Sequence, residues 1–302
     1  MRPELITAAK LLRRNTPEDV EQAIALLQNT VYSFSMKMCG HREDAEDTTQ
    51  DVLFKSLRHL SRFPDPAALA AWLYTVTKNR CHRMRRTHGH PPAKSLSLDE
   101  LMPGELELEQ LLPDGKESPE RSALHAEERH LLHEAVLRIP SSLRLVLVLH
   151  DMEELDTEQV AQILGIQPGT VRVRLHRARL SVRQEMSREL SGHLAAPPPP
   201  AKVSASLRKR KVGPECRELF ANLSEYLDGR VDAASCEEMK EHIHGCPNCV
   251  AFLKELRTAI DRCKSVQMEC DPAVAARMRE LFTREYMRML KLSDAEVAAP
   301  AR

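Results

Sequence analysis

The chain has 302 residues, enough for two or three small domains. Aromatic residues make up 4% and charged residues 29%, a balance that favours helices over sheets and predicts an all-α protein. Lys and Arg equal Asp and Glu at 44 each, which excludes a uniformly basic or acidic protein but leaves each sign free to concentrate in separate segments. No run of about 18 apolar residues is present, and the N-terminus lacks the apolar core of a secretory signal, so we expect a cytoplasmic protein without a membrane span.

Residues 1–86 predict a first helical domain. The segment DAEDTTQDVLFKSLRHL (44–60) places apolar side chains at helical spacing after an acidic first turn, which suits the positive end of a helix dipole. Two prolines interrupt the pattern in FPDPAAL (63–69). AAWLYTVTKNRCHRMRR (70–86) then resumes it and ends strongly basic, either as a phosphate-binding helix or as a solvated face.

Two stretches are predicted to be linkers. Residues 87–122 contain five prolines, and between 95 and 120 acidic residues stand against the single basic residue Lys116. Residues 191–213 contain the run Pro197–Pro200 followed by LRKRK, which predicts an extended, exposed tether.

Residues 123–190 predict a second helical domain with a helix-turn-helix. Asp156 or Thr157 can cap the first helix, Gly165 suits the turn, and Pro168 suits the first turn of the next helix. On that second helix, Val171, Leu175 and Ala178 can face a core. Between Pro168 and Arg183 the helix carries arginines without an intervening acid, and guanidinium groups bind phosphates and read guanine. We expect these residues to point outward: Arg172, Val173, His176 and Arg177.

These two helical segments resemble, in order, regions 2 and 4 of bacterial RNA polymerase sigma factors. The resemblance covers residues 1–190, and the lack of a folded domain between the segments makes the chain similar to the extracytoplasmic-function (ECF) group. It implies a protein that binds core RNA polymerase and promoter DNA and directs transcription initiation. We expect no enzyme, because Cys-x2-Cys with a helical histidine fits a metal better than a catalytic dyad and no Gly-rich phosphate loop occurs. The resemblance also implies that the acidic linker threads through basic polymerase channels, although a solvated spacer is the alternative.

The resemblance assigns site residues by alignment. In region 4, the residues facing the −35 element are Arg172, Val173, Arg174, His176 and Arg177. In region 2, contact with the −10 element and upstream phosphates is implied for Arg62, Phe63, Trp72, Arg80, Arg83, Arg85 and Arg86. The helix around 44–60 resembles the surface that docks on polymerase, through Asp47, Gln50 and Asp51.

Residues 214–265 predict a small zinc-binding unit. In HIHGCPNC, the sulfurs of Cys246 and Cys249 can converge on one ion, and His242 lies one helical turn earlier. The segment resembles the zinc-binding anti-sigma domain, in which an upstream ligand joins an H-x3-C-x2-C core. Cys216 is therefore the expected fourth ligand of one zinc ion, with Cys236 and His244 as competitors.

An anti-sigma-like module in the same chain suggests regulation in cis, with possible intramolecular contacts to regions 2 and 4. The module either senses oxidation or metal exchange, or simply needs zinc to fold as a docking platform. A helix-turn-helix repressor or activator that acts without recruiting polymerase is the alternative function. Residues 266–302 predict one further helical tail whose role the sequence does not indicate.

Overall fold

The computed structural model describes residues 1–14, 16–57, 59–60, 63, 65–87, 101, 121–193 and 223–297. Most of the acidic linker, the proline-rich linker, Arg62 and Cys216 lie outside the described residues, as do the side chains of Arg85 and Arg86. Regular structure in the described part is helical throughout, which confirms the all-α prediction. Among these helices, none combines the length and the apolar character needed to cross a bilayer.

Eleven helices are described, and the sixth continues into a π-helical turn, Val148–Met152. They are α1 Pro3–Arg14, α2 Pro17–Cys39, α3 Arg42–Leu57, α4 Pro66–Thr87, α5 Arg121–Arg138, α6 Ser141–Leu147, α7 Thr157–Leu164, α8 Pro168–His193, α9 Ala233–Gly245, α10 Pro247–Ser265 and α11 Pro272–Val297.

Local chemistry sets the ends of the predicted helix-turn-helix. The Asp156 side chain accepts from the backbone N–H of Gln159, and the Gln159 side chain accepts from the Asp156 N–H, which completes a capping box before α7. Gly165 ends the helix at φ 66°, a left-handed conformation that glycine adopts without a steric penalty. Pro168 then opens α8.

Packing groups the chain into two compact units that do not follow sequence order. The first comprises Met1–Pro91, Val148–Gln167 and Gln267–Arg302, and the second comprises Pro92–Leu147 and Pro168–Val266. The boundary falls between α7 and α8, so the two helices of the predicted helix-turn-helix belong to different units.

A buried charge cluster holds the π-helical turn within the first unit. Glu153 accepts from Lys37 Nζ at 2.7 Å and from the Tyr74 hydroxyl at 2.7 Å, and it pairs with Arg2 Nε at 3.1 Å. All four side chains are buried. Burial, followed by the negative charge of Glu153, raises the pKa of Tyr74 well above its usual value, so this hydroxyl stays a donor. The carboxylate thus joins α1, α2 and α4 to the segment that leads into α7.

The second unit surrounds α8 with the residues of the predicted zinc module. A helical turn at 223–227 precedes α9 and α10. Leu180 of α8 lies in one buried cluster with Leu223, Phe252, Leu256 and Ile260. The apolar face of α8 is therefore part of the same core as the zinc module.

We predict that Glu153→Leu destabilises the first unit by about 3–5 kcal/mol, because Lys37 would stay buried without a countercharge. The double variant Lys37→Met, Glu153→Leu should recover most of this loss. Urea unfolding of the full chain followed by Trp72, the only tryptophan, measures both. Glu154→Gln, at an exposed neighbouring position, is the control, and an unshifted Glu153→Leu transition would show that the cluster is dispensable.

Candidate DNA-binding helix and metal centre

The outer face of α8 is only partly open. Val173 is 55% exposed and Arg172 is exposed, whereas Arg174 and Arg177 are half-buried. His176, which the sequence placed outward, is only 6% exposed. That expectation of exposure is wrong for the described structure, because the turn at 223–227 covers this part of the helix.

Carboxylates of the zinc module pair with three arginines along α8. Arg172 Nε lies 3.3 Å from Glu225 Oε1 at the exposed end. Arg179 donates to both carboxylate oxygens of Asp228, at 2.8 and 3.1 Å. These contacts place carboxylates against the guanidinium groups of α8.

The innermost pair of this series is fully buried. Arg183 Nη1 donates to Glu255 Oε2 at 3.0 Å, with both side chains 1% exposed. The guanidinium carbon of Arg183 also lies 4.8 Å from the centre of the Phe252 ring, at cation–π distance. The pair joins α8 to α10, and removal of either partner would leave the other charge buried.

His176 lies between the exposed and buried parts of this contact. Its Nδ1 is 2.9 Å from the Ser224 hydroxyl. Burial, reinforced by the positive charges of Arg179 and Arg177, lowers its pKa to about 4. The ring is therefore neutral at physiological pH.

The predicted residues of region 2 form two groups. Trp72 packs between Phe63, with ring centres 5.4 Å apart, and His59, at 5.5 Å. Arg83 is exposed, but Arg80 Nε lies 3.0 Å from Asp51 Oδ2, which Lys55 also contacts at 3.3 Å. A residue predicted to bind phosphate thus pairs with one predicted to bind polymerase.

Asp47 and Gln50 are exposed on α3. Sequence reasoning missed the Asp51–Arg80 pair because it joins two helices, and periodicity within one helix carries no information about such a partner.

The candidate metal ligands come together at the junction of α9 and α10. His242 lies in the last turn of α9, Cys246 precedes α10, and Cys249 lies in its first turn after Pro247. Cys249 Sγ is 3.4 Å from His242 Nε2, and one ligand atom from each of the three lies within 4.8 Å of the others. Neighbouring ligands of a tetrahedral zinc ion are about 3.3–3.8 Å apart, so the donor set and spacing fit zinc.

The competing ligands do not join this group in the described residues. Cys236 is half-buried and outside the converging set, and exposed His244 places Nδ1 2.6 Å from the Lys240 carbonyl oxygen. Cys216 as the fourth ligand stays a prediction.

We predict that His176 titrates near pH 4 in the full chain and close to its ordinary value of about 6.5 in a chain ending at Ala195, which lacks Ser224. Because burial depresses this pKa, the contact is fully stable above about pH 6.5 and is lost as pH falls toward about 4. Histidine ring signals in NMR titrations measure both values. Equal values in the two chains would contradict the burial of this ring by the module.

We predict that Cys246→Ser and Cys249→Ser each remove the bound zinc, whereas Cys236→Ser and His244→Ala leave about one ion per chain. Cys216→Ser should behave like the ligand variants. Metal analysis of the purified full chains checks this. If Cys216→Ser retained zinc and Cys236→Ser lost it, the fourth ligand would be Cys236 and not Cys216.

Three family models match separate segments of the chain. The Sigma-70 region 2 family model matches residues 23–90, the Sigma-70 region 4 model matches residues 129–182, and a zinc-finger family model matches residues 216–249. The last match begins at Cys216 and ends at Cys249.

Relatives named as RNA polymerase sigma factors match about half of the chain. A probable RNA polymerase sigma factor, RfaY, of Xanthomonas campestris is 29% identical over 54% of this chain and 39% of its own length. The ECF RNA polymerase sigma factor SigW of Bacillus subtilis is 24% identical over 59% of this chain and 94% of its own. A solved structure, the sigma factor RpoE in complex with the anti-sigma factor NepR from Bartonella quintana, has a TM-score of 0.40 and 20% identity over 56% of this chain and 97% of that one. The chain therefore carries, in order, segments that match sigma-70 region 2, sigma-70 region 4 and a zinc finger, and it is similar to ECF-type RNA polymerase sigma factors.

Proposed function

We propose that this chain binds core RNA polymerase and directs promoter-specific initiation, and that its zinc module restrains promoter binding in cis by occupying α8. Region 2 docks on polymerase through Asp47, Gln50 and Asp51 and engages the −10 element through the Trp72 helix. Region 4 reads the −35 element through α8. His242, Cys246 and Cys249 would hold a zinc ion at the junction of α9 and α10, which would keep these helices together so that α10 can present its face to α8.

The pairing of Arg179 with both oxygens of Asp228 carries the proposal of restraint. A guanidinium held in this bidentate way has its strongest donors directed at a carboxylate, and the same donors would serve a DNA phosphate. The hydrogen bond between His176 and Ser224 also favours restraint, because it holds a residue aligned with base contacts away from DNA.

Release from the module need not leave a charge buried. When α8 moves onto DNA, phosphates replace Asp228 and Glu225 as partners, so the exchange is nearly balanced in hydrogen bonds. A balanced exchange can be shifted by small changes in the module. Loss of zinc is one such change, because metal binding is coupled to folding of small metal-bound units.

Reconstituted transcription with core polymerase tests the function. We predict that the chain directs specific initiation only with core enzyme, and that truncation near Ala195 or the double change Cys246→Ser, Cys249→Ser raises output. Sequence-specific DNA binding without any effect of core enzyme would instead favour a repressor or activator. Unchanged output from both altered chains, with zinc loss verified, would exclude restraint in cis.

A finer prediction concerns the charged contacts alone. The double variant Glu225→Gln, Asp228→Asn should raise −35-dependent output about two- to tenfold, since partly exposed ion pairs contribute about 0.5–1.4 kcal/mol. Glu238→Gln, exposed on α9, removes a charge elsewhere in the module and should change output little. An equal rise in the control would indicate a general charge effect, and no rise in either would contradict masking by these carboxylates.

A further inference from the structure

Two cysteines that are separate from the candidate zinc ligands meet inside the first compact unit. Cys39 is the last residue of α2, and Cys81 lies in the C-terminal half of α4. Both are present as thiols, and their side chains are in hydrogen-bond contact with each other. Cys39 is half-buried, whereas Cys81 is only 1% exposed. The contact therefore joins a sulfur that solvent reaches to one that lies in the core.

The surrounding helices hold Cys81 firmly and leave Cys39 at a chain turn. The Thr48 hydroxyl of α3 donates to the sulfur of Met84 at 3.1 Å, one helical turn after Cys81, and Thr48 is 0% exposed. This bond anchors α4 to α3 beside Cys81. Cys39 is followed by Gly40, which ends α2 at φ 79°. The end of a helix yields to a small shift more readily than its middle, so Cys39 is the thiol that can move.

The two thiols also differ in protonation. The hydrogen bond with Cys39, followed by burial, raises the pKa of the Cys81 thiol well above its usual value. Cys81 therefore stays protonated at neutral pH. An oxidant in solution meets the more accessible sulfur of Cys39 first, while Cys81 is already in place to react with the product.

We propose that Cys39 and Cys81 form a reversible disulfide inside region 2 when the chain meets a hydroperoxide, ROOH. The Cys39 sulfur attacks a peroxide oxygen, the O–O bond breaks, and Cys39–SOH and ROH form. The Cys81 sulfur then attacks the Cys39 sulfur. The S–S bond forms as the S–O bond breaks, and the Cys81 proton leaves with the hydroxide as water. The two thiols give up two electrons, which the peroxide accepts.

The disulfide requires little movement and has a definite structural effect. Its sulfurs lie about 2.0 Å apart, so a pair already in contact needs to close by roughly 1–2 Å. The bridge closes a loop of about forty residues, which stabilises the first unit by restricting the unfolded chain. It also fixes the part of α4 that leads to the exposed Arg83. Oxidation would thus lock the helices of region 2 together without using a ligand of the zinc site.

Cys236 provides the internal comparison. It is half-buried, as Cys39 is, but it lies on α9 in the second compact unit. If oxidation depended on exposure alone, the two positions would react alike. The proposal instead predicts that Cys39 ends as a disulfide with one named partner.

Oxidation of the zinc-loaded full chain with hydrogen peroxide, followed by alkylation and non-reducing peptide mapping, tests the proposal. About one equivalent of peroxide should link the Cys39 peptide to the Cys81 peptide, and dithiothreitol should reverse the link. Zinc content should stay unchanged. The urea midpoint followed by Trp72 should rise by about 1 M, because the bridge closes a long loop.

Matched variants separate the outcomes. Cys236→Ser should keep both the linked peptides and the higher midpoint, whereas Cys39→Ser and Cys81→Ser should each lose both. Alkylation of Cys39 and Cys81 that persists after Cys236 has been oxidised overturns the proposal. A sulfinic acid at Cys39 beside a Cys81 thiol also overturns it, because the two sulfurs would then not combine. Mapping the parent chain detects the bond directly, so a variant that fails to fold leaves the test intact, and no outcome depends on polymerase binding.

Discussion

An arginine-rich helix can be buried only where each guanidinium that leaves water meets a carboxylate, because an unpaired buried charge costs about 3–5 kcal/mol. On α8, Arg179 and Arg183 are both buried, and they face Asp228 and Glu255. Both carboxylates come from the residues that follow the proline-rich linker. The positions of the buried arginines on α8 therefore restrict where the zinc module can pack. The regulation proposed for this chain depends on this pairing of arginines with carboxylates.

The residues after the proline-rich linker divide between the two compact units. The zinc module packs on α8 through a shared apolar cluster and through charged pairs with its arginines. The tail helix packs on α3, mainly through the aromatic contact between Phe282 and Phe54. These contacts respond to different conditions, since salt and low pH weaken the first, whereas the second depends on apolar burial.

Local signals made part of this structure predictable. Asp156, Gly165 and Pro168 each determine the backbone conformation or hydrogen bonding within a few residues of their own position. The C-terminal end of α7 and the starts of α7 and α8 could therefore be predicted from the sequence. The spacing of His242, Cys246 and Cys249 likewise places three ligands on adjoining helix ends. Contacts between distant segments were not predictable: the Glu153 cluster, the burial of His176 and the packing of α11 depend on partners that leave no periodic trace in one segment.

The most direct measurement of the central claim is hydrogen exchange of residues 223–228 in the full chain, free and within a polymerase–promoter complex. If α8 exchanges the module for the −35 element, the amides of this turn should be protected in the free chain and lose protection when promoter DNA binds. Protection that persists in a complex competent for transcription would show that α8 binds promoter DNA without releasing the module, and would contradict the account.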